Sequence, residues 1–295
     1  MKYNSYINKI NQTKGVLNMK KWLIAMVAIV MVVLAGCGAK DDSSKDGGSS
    51  DDSTISKVEK DKKLIIGTNA GYYPFEMIDK NGKMVGYDID VATALAKSMG
   101  ATVEVKQFGF DALIPALQTG KIDMIFAGMT ITKERENAVS FADAYYETGQ
   151  GVMVRNDSKI KDLKEVDEKG KTVVVQIGTT GSIVAKKELK NAEIKEYEDF
   201  PSAALAVQQG QADALVYDEP AIKVYALQNE GKVKALDGLL ATDKLGIAIK
   251  KGDEKTVKYV NDFLKEYLGS KEEKETKKKW FEDSNWLNQV ESPKQ

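Results

Sequence analysis

Two separate stretches of this chain follow the same local grammar. The run from Ala116 to Gly128 (ALQTGKIDMIFAG) aligns with the run from Ala206 to Asp218 (AVQQGQADALVYD). Each reads as the end of a helix, a Gly that stops it, a short turn, and an apolar strand that surfaces at its end. Two such units confine the chain to layers of helix packed on a largely parallel sheet, because a parallel strand needs a helical crossover. Helix, Gly and strand in succession is also the ordinary grammar of α/β proteins. The likeness is therefore either a sign of two similar lobes or a coincidence of common parts.

The flanking pattern repeats the alternation. Leu64 to Gly67 reads as a buried strand, Asp90 to Met99 as a helix stopped by Gly100, and Thr102 to Lys106 as a strand. Asp111 is placed to cap a helix running to Thr119, and Ile122 to Phe126 follows as a strand. After Thr172 to Gln176 come a helix from Ser182, a strand near Glu193 to Tyr197, a helix from Pro201 to Gln209 and a strand from Ala212 to Val216. Ligands of open α/β sheets bind beyond the carboxyl ends of the strands. Two lobes facing one another would set Gly128, Thr130 and Arg135 opposite Asp218.

The N-terminus reads as a targeting segment. Met19-Lys20-Lys21 is basic, Trp22 to Leu34 is apolar, and Leu34-Ala35-Gly36-Cys37 ends the run at the single cysteine of the chain. The apolar run has the length of a secretory signal and falls short of a comfortable membrane span. Small residues before one Cys look like a lipoprotein signal, cleaved before Cys37 and acylated there, with Met19 the better-formed start. The expected organisation is a signal region over 1–37, a flexible tether over 38–58, a first lobe from 59–148 plus 243–290, and a second lobe over 149–242. The tether is rich in Gly, Ser, Asp and Lys with little to bury, and would reach roughly 25 Å. This places the folded part outside the cytoplasmic membrane, held to its outer face by lipid.

Composition removes several chemistries. The formal charge is −1, which leaves no nucleic-acid footprint, and histidine is absent. Ser-His and Cys-His nucleophilic catalysis and His-ligated metal sites go with it. With Cys37 given to lipid, thiol chemistry goes too, and no cofactor or metal is expected. Carboxylate- or lysine-based catalysis stays open.

The segment Lys121 to Arg135 (KIDMIFAGMTITKER) carries the most chemistry. Its strand opens into a loop with Gly128, Met129 and Thr130, and Thr132 can cap the next helix. That puts Arg135 in a first turn, where the macrodipole is already positive and a cation is disfavoured. The placement becomes favourable if guanidinium, hydroxyl and backbone donors converge on a small carboxylate or phosphate. An ordinary surface helix start is the bland alternative.

Five marks in order give the chain a family resemblance from about Lys63 to Trp280: GTNAGYYPFE (Gly67 to Glu76), GYDID (Gly86 to Asp90), FDALIPAL (Phe110 to Leu117), the Lys121 to Arg135 segment, and QIGTTGS (Gln176 to Ser182) with YDEP (Tyr217 to Pro220). Together they resemble the solute-binding proteins of ABC transporters for polar amino acids. The resemblance implies a type II periplasmic-binding-protein-like α/β fold. Each lobe would be a mixed, mostly parallel sheet flanked by helices, joined by two hinge strands fitting Tyr146 to Val154 and Leu245 to Lys250. It implies that Arg135 clamps an α-carboxylate with Thr130 and the Thr179-Thr180 helix start. Asp218 would pair the α-ammonium with help from Gly128 and Thr130, while Tyr72 and Phe110 wall the side chain. Core packing is the alternative for the two aromatics, and a helix cap for Asp218.

Side-chain choice would then fall to Asn69, Tyr72, Phe110, Gln176 and Tyr217. Where relatives that take cationic side chains often carry an acid, Asn69 is an amide, so an amide-bearing ligand such as glutamine is favoured. Arginine or lysine stays open through cation–π contact with Tyr72 and Phe110, and because Glu76 is near in sequence. The expected partners are a free amino acid and the membrane permease of an importer, with the binding protein itself monomeric. The rivals are an amino-acid sensor without transport and a cyclohexadienyl dehydratase-like enzyme on the same fold.

Overall fold

The computed structural model describes residues 52–290. The signal region, Cys37 and the tether as far as residue 51 lie outside the described residues. Among those described, no helix is long and apolar enough to cross a membrane.

The strands, in chain order, are β1 (Lys63–Thr68), β2 (Met77–Ile78), β3 (Met84–Val85), β4 (Thr102–Gln107), β5 (Met124–Ile125), β6 (Val139–Phe141), β7 (Tyr146–Arg155), β8 (Thr172–Gln176), β9 (Glu193–Tyr197), β10 (Ala214–Asp218), β11 (Val233–Ala235), β12 (Ala241–Leu245) and β13 (Ala248–Lys250). One sheet runs β4-β1-β5-β13-β6. A second runs β11-β7-β10-β8-β9, with β12 also on β7. In the first, β1 is parallel to β4 and β5, and β13 returns antiparallel between β5 and β6. In the second, β8 is parallel to β9 and β10, and β7 is antiparallel to β10. The chain passes from one sheet to the other along β7 and comes back through β12 and β13. The central strands β1, β8 and β10 are almost wholly buried, as expected of parallel strands covered on both faces.

The internal likeness of the sequence has a structural counterpart at two aspartates. Asp123 donates its N–H to the Ile65 carbonyl at 2.7 Å, and its carboxylate accepts the Ile65 N–H at 2.8 Å. Asp213 does the same to Thr172, at 2.8 and 2.9 Å. Each carboxylate also meets a lysine, Lys57 at 2.5 Å and Lys171 at 3.4 Å. Equivalent positions thus fasten equivalent parallel strands in register, one in each sheet.

Packing moves several expected boundaries. The predicted tether ends too late: Thr54–Asp61 is a helix capped by Ser53, with Ile55 and Val58 buried on one face. Its first turn is tied to the start of the helix Glu254–Tyr267 by Thr54 N–H to Asp253 at 2.7 Å and Ile55 N–H to the Thr256 hydroxyl at 3.0 Å. Polar composition hid two apolar residues at helical spacing. The helix expected from Asp90 begins at Tyr87, because Tyr87 and Asp88 are buried and hold the first turn inside. Asp111 does not cap its helix. It sits inside a short 3₁₀ turn, Phe110–Ala112, that leads into Leu113–Gln118. The strand expected at Ala212 starts at Ala214, since Asp213 is spent fastening Thr172.

Candidate functional site

The carboxyl ends of β1, β5, β8 and β10 all deliver loops to one crevice. Tyr72 and Phe110 border it, as do Gly128 and Thr130 after β5, Thr179 and Thr180 after β8, and Tyr217 and Asp218 at the end of β10. Ala127, which sequence reasoning passed over, completes the lining.

Arg135 is held where its local sequence puts it. Thr132 caps the helix Lys133–Ala138 and accepts the Arg135 N–H at 3.2 Å. Arg135 is not itself among the residues lining the crevice; its side chain donates to the carbonyl of Thr130, which is, at 2.8 Å and to the Gly178 carbonyl, after β8, at 3.0 Å. Its guanidinium carbon lies 5.2 Å from the centre of the Phe110 ring, within cation–π range. The residue is only 7% exposed. Both hydrogen bonds go to neutral carbonyls, so the buried charge is solvated but not neutralised. Burial pulls its pKa down, opposed by attraction to Asp218 and Asp243.

Asp218 is the converse. It is buried, and it accepts the Tyr72 hydroxyl at 2.5 Å and the side-chain amide of Gln150. The same amide reaches Asp243 at 2.5 Å. Burial, with repulsion from Asp243, raises the Asp218 carboxyl to about 6 against the pull of Tyr72, Gln150 and Arg135. Asp243 is raised by burial as well. Asp218 precedes the helix Glu219–Gln228, yet its side chain makes no cap bond there. It faces the crevice instead.

Gly128 has φ of +52°, and a Cβ there would lie 1.9 Å from Cε1 of Tyr72. Only glycine tolerates both the backbone and the ring. The Tyr72 ring stacks on Phe75 at 4.5 Å between centroids and meets Tyr217 edge-on at 5.6 Å. It is therefore part crevice wall and part core.

At the other side, the Gln176 amide donates to Asn69 Oδ1 at 2.9 Å and to the Glu198 carbonyl at 3.1 Å, while Asn69 donates to the Phe108 carbonyl at 2.8 Å. This joins the two sheets' strand ends. Gln176 Oε1 and Thr180 Oγ1 are buried without a hydrogen-bond partner. Buried polar atoms are rarely left so; of the two residues Thr180 lines the crevice and Gln176 does not. Thr179 is already committed: its hydroxyl caps the helix Thr180–Glu188 at Ser182 N–H and donates to the Gln176 carbonyl. The Met129 side chain is packed in the core beside Ile125 and Leu113, and its carbonyl accepts the Gly246 N–H at 2.9 Å. Met129 thus shapes the loop without lining the crevice.

Gln150, Asp243 and Asp88 were not foreseen. Gln150 on β7 is brought to Asp218 by the register Asp218↔Gln150 between β10 and β7, and Asp243 on β12 by the register Ala241↔Gln150, Asp243↔Thr148. No local motif marks Gln150 or Asp243, and Asp88 stands in the GYDID mark without a role assigned to it.

Two sheets that direct their strand ends and a buried anion into a shared crevice, with a buried cation packed against its wall, define a cleft-type binding protein for a small solute. The chain belongs to the bacterial extracellular solute-binding proteins, family 3, whose sequence model matches residues 64–283. It is 32% identical over 266 residues to the ABC transporter glutamine-binding protein GlnH of Bacillus subtilis (strain 168), covering 88% of this chain and 96% of that protein. It is 34% identical over 278 residues to the arginine-binding extracellular protein ArtP of the same organism, covering 89% and 98%. Among solved structures it resembles the ancestral amino acid-binding protein AncCDT-1, described as a precursor of cyclohexadienyl dehydratase. The TM-score is 0.74 at 40% identity, covering 78% of this chain and 100% of that one. The fold is thus the two-lobed type II binding-protein fold.

Proposed function

We propose that this protein binds a free polar L-amino acid in the crevice and delivers it to the membrane permease of an ABC importer. One observation carries the reading: Asp218 lines the crevice, Arg135 packs against its Phe110 and Thr130 walls, both are buried, and each is hydrogen bonded only by neutral groups. Buried charges are normally paired. An α-carboxylate on Arg135 and an α-ammonium on Asp218 would pair both at once, with the Thr130 and Thr180 hydroxyls at hand. Relatives of both lengths and folds named for amino-acid binding support the same class.

Glutamine is the favoured ligand. Asn69 and Gln176 present amides and no acid, and the unpartnered Gln176 Oε1 would accept an N–H from a side-chain amide that reached it. Arginine or lysine is the second reading, favoured by Asp243, a further buried carboxylate near Asp218. Thermal shift against all twenty amino acids decides: a ligand at 100 times its dissociation constant stabilises by about 2.7 kcal/mol. No shift with any of them would sink the proposal, and a larger shift with arginine than glutamine would reverse the order.

The reading includes acylation of Cys37 and residence at the outer face of the membrane as a monomer. Loss of the protein from the membrane fraction in Cys37→Ala is the expected result. A binding role without turnover predicts no product on incubation with prephenate or arogenate.

A further inference from the structure

The Gly128 loop rests on a carboxylate. Asp88, in the first turn of the helix Tyr87–Ser98, is fully buried and accepts the Gly128 N–H at 2.8 Å. It also accepts the Tyr145 hydroxyl, at 2.7 and 2.9 Å to its two oxygens. Beside it lies Glu76, 0% exposed, whose two oxygens find no donor among the N–H and O–H groups of the described residues. The ionisable groups facing Glu76 are Asp88 from the helix, Asp218 from β10, and the hydroxyls of Tyr72, Tyr145 and Tyr217. No cation is among them.

A buried carboxylate with neither counter-ion nor donor is among the costliest groups a fold can hold. Adjacent buried carboxyls resolve the cost by sharing a proton. Asp88 already receives an N–H and an O–H, which favour its charged form. Glu76 receives none, so it is the group that keeps the proton. We propose that Glu76 is a neutral carboxylic acid that donates its O–H to Asp88, and that through Asp88 it positions the Gly128 loop of the crevice. Its backbone braces the opposite wall in the same way: Glu76 N–H bonds the Tyr72 carbonyl at 2.9 Å, and its carbonyl accepts the Gly71 N–H at 3.0 Å. One residue therefore ties Tyr72 and Gly128, the two surfaces that touch across the crevice. Burial, with repulsion from Asp88, pushes the Glu76 pKa far upward, consistent with a retained proton.

The test uses the full chain and begins without ligand, so its outcome is independent of the amino-acid reading. Infrared spectroscopy at pH 9, where Asp88 and Asp218 are ionised, is expected to show the C=O band of a protonated carboxyl group, and Glu76→Gln, whose amide can still donate to Asp88, is expected to abolish it. Glu76→Gln should also flatten the fall of melting temperature with rising pH. Where glutamine or arginine binds, Glu76→Gln should retain affinity and Glu76→Leu should lose roughly tenfold or more, as expected for an acceptor left short of its donor. A missing band in the wild type, or a band or pH slope unchanged in Glu76→Gln, overturns the proposal. Should Glu76→Gln not fold, Asp218→Asn decides. The band belongs to Glu76 and must persist there; its disappearance overturns the proposal.

Discussion

Gly128 joins three constraints in one residue: a left-handed backbone, contact with the face of Tyr72, and an N–H anchored on Asp88. Gly128→Ala has no relaxed solution, because the ring it meets is itself stacked on Phe75. It should weaken ligand binding by at least about tenfold, or 1.4 kcal/mol, and lower the melting temperature. Titration calorimetry showing wild-type affinity would reject this. Arg135→Ala or Asp218→Ala strips one partner from a buried charge pair with the ligand, at about 2–5 kcal/mol of affinity. Circular dichroism should report an intact fold in both. These residues were legible because each sits at a local contradiction, a cation in a helix's first turn and an acid ending an apolar strand. Asp88, Gln150 and Asp243 were not, since their chemistry is set by contacts 40, 68 and 93 positions away along the chain.

Among the elements, three helix starts are written in their capping residues. Thr132, Thr179 and Asp199 each cap a helix with a side-chain oxygen, as their residue types imply. Asp199 lies outside the crevice and accepts the Ser202 N–H at 2.7 Å. Asp199→Ala should cost about 1 kcal/mol of stability while leaving ligand affinity within error, as read by urea unfolding and calorimetry. An affinity change comparable to that of Arg135→Ala would show that the cap acts on the site. Strand and helix edges were less legible where packing extends them. Tyr87 and Ile55 were drawn into elements by buried neighbours that a window of sequence does not contain.

For the molecule as a whole, buried carboxyls set the response to pH. Asp88 is raised to about 7, chiefly by burial, and Asp218 to about 6. The folded state therefore binds more protons than the unfolded chain between about pH 4, the ordinary Asp range, and about pH 7. Stability without ligand should fall as pH rises through that window. A ligand ammonium beside Asp218 favours its charged form and expels the proton. Affinity should consequently rise with pH through about 6, with proton release seen as a buffer-dependent heat; no buffer dependence would contradict the ammonium assignment. The two-lobe plan was visible in the paired segments ending at Gly128 and Asp218, because the fastening aspartates Asp123 and Asp213 recur in both. The closing of the first sheet by three residues far down the chain, Ala248–Lys250, was expected only through the family resemblance, which returned 243–290 to the first lobe.

That late closure governs the order in which the molecule can form. β13 lies between β5 and β6 and supplies the partner that both lack. All strands of the second sheet lie between Tyr146 and Leu245, so they have left the ribosome, or emerged from a translocation pore, before Ala248 appears. The later-encoded lobe is thus complete first. The earlier one waits with an open sheet, and the final strand to arrive is the one that seals it.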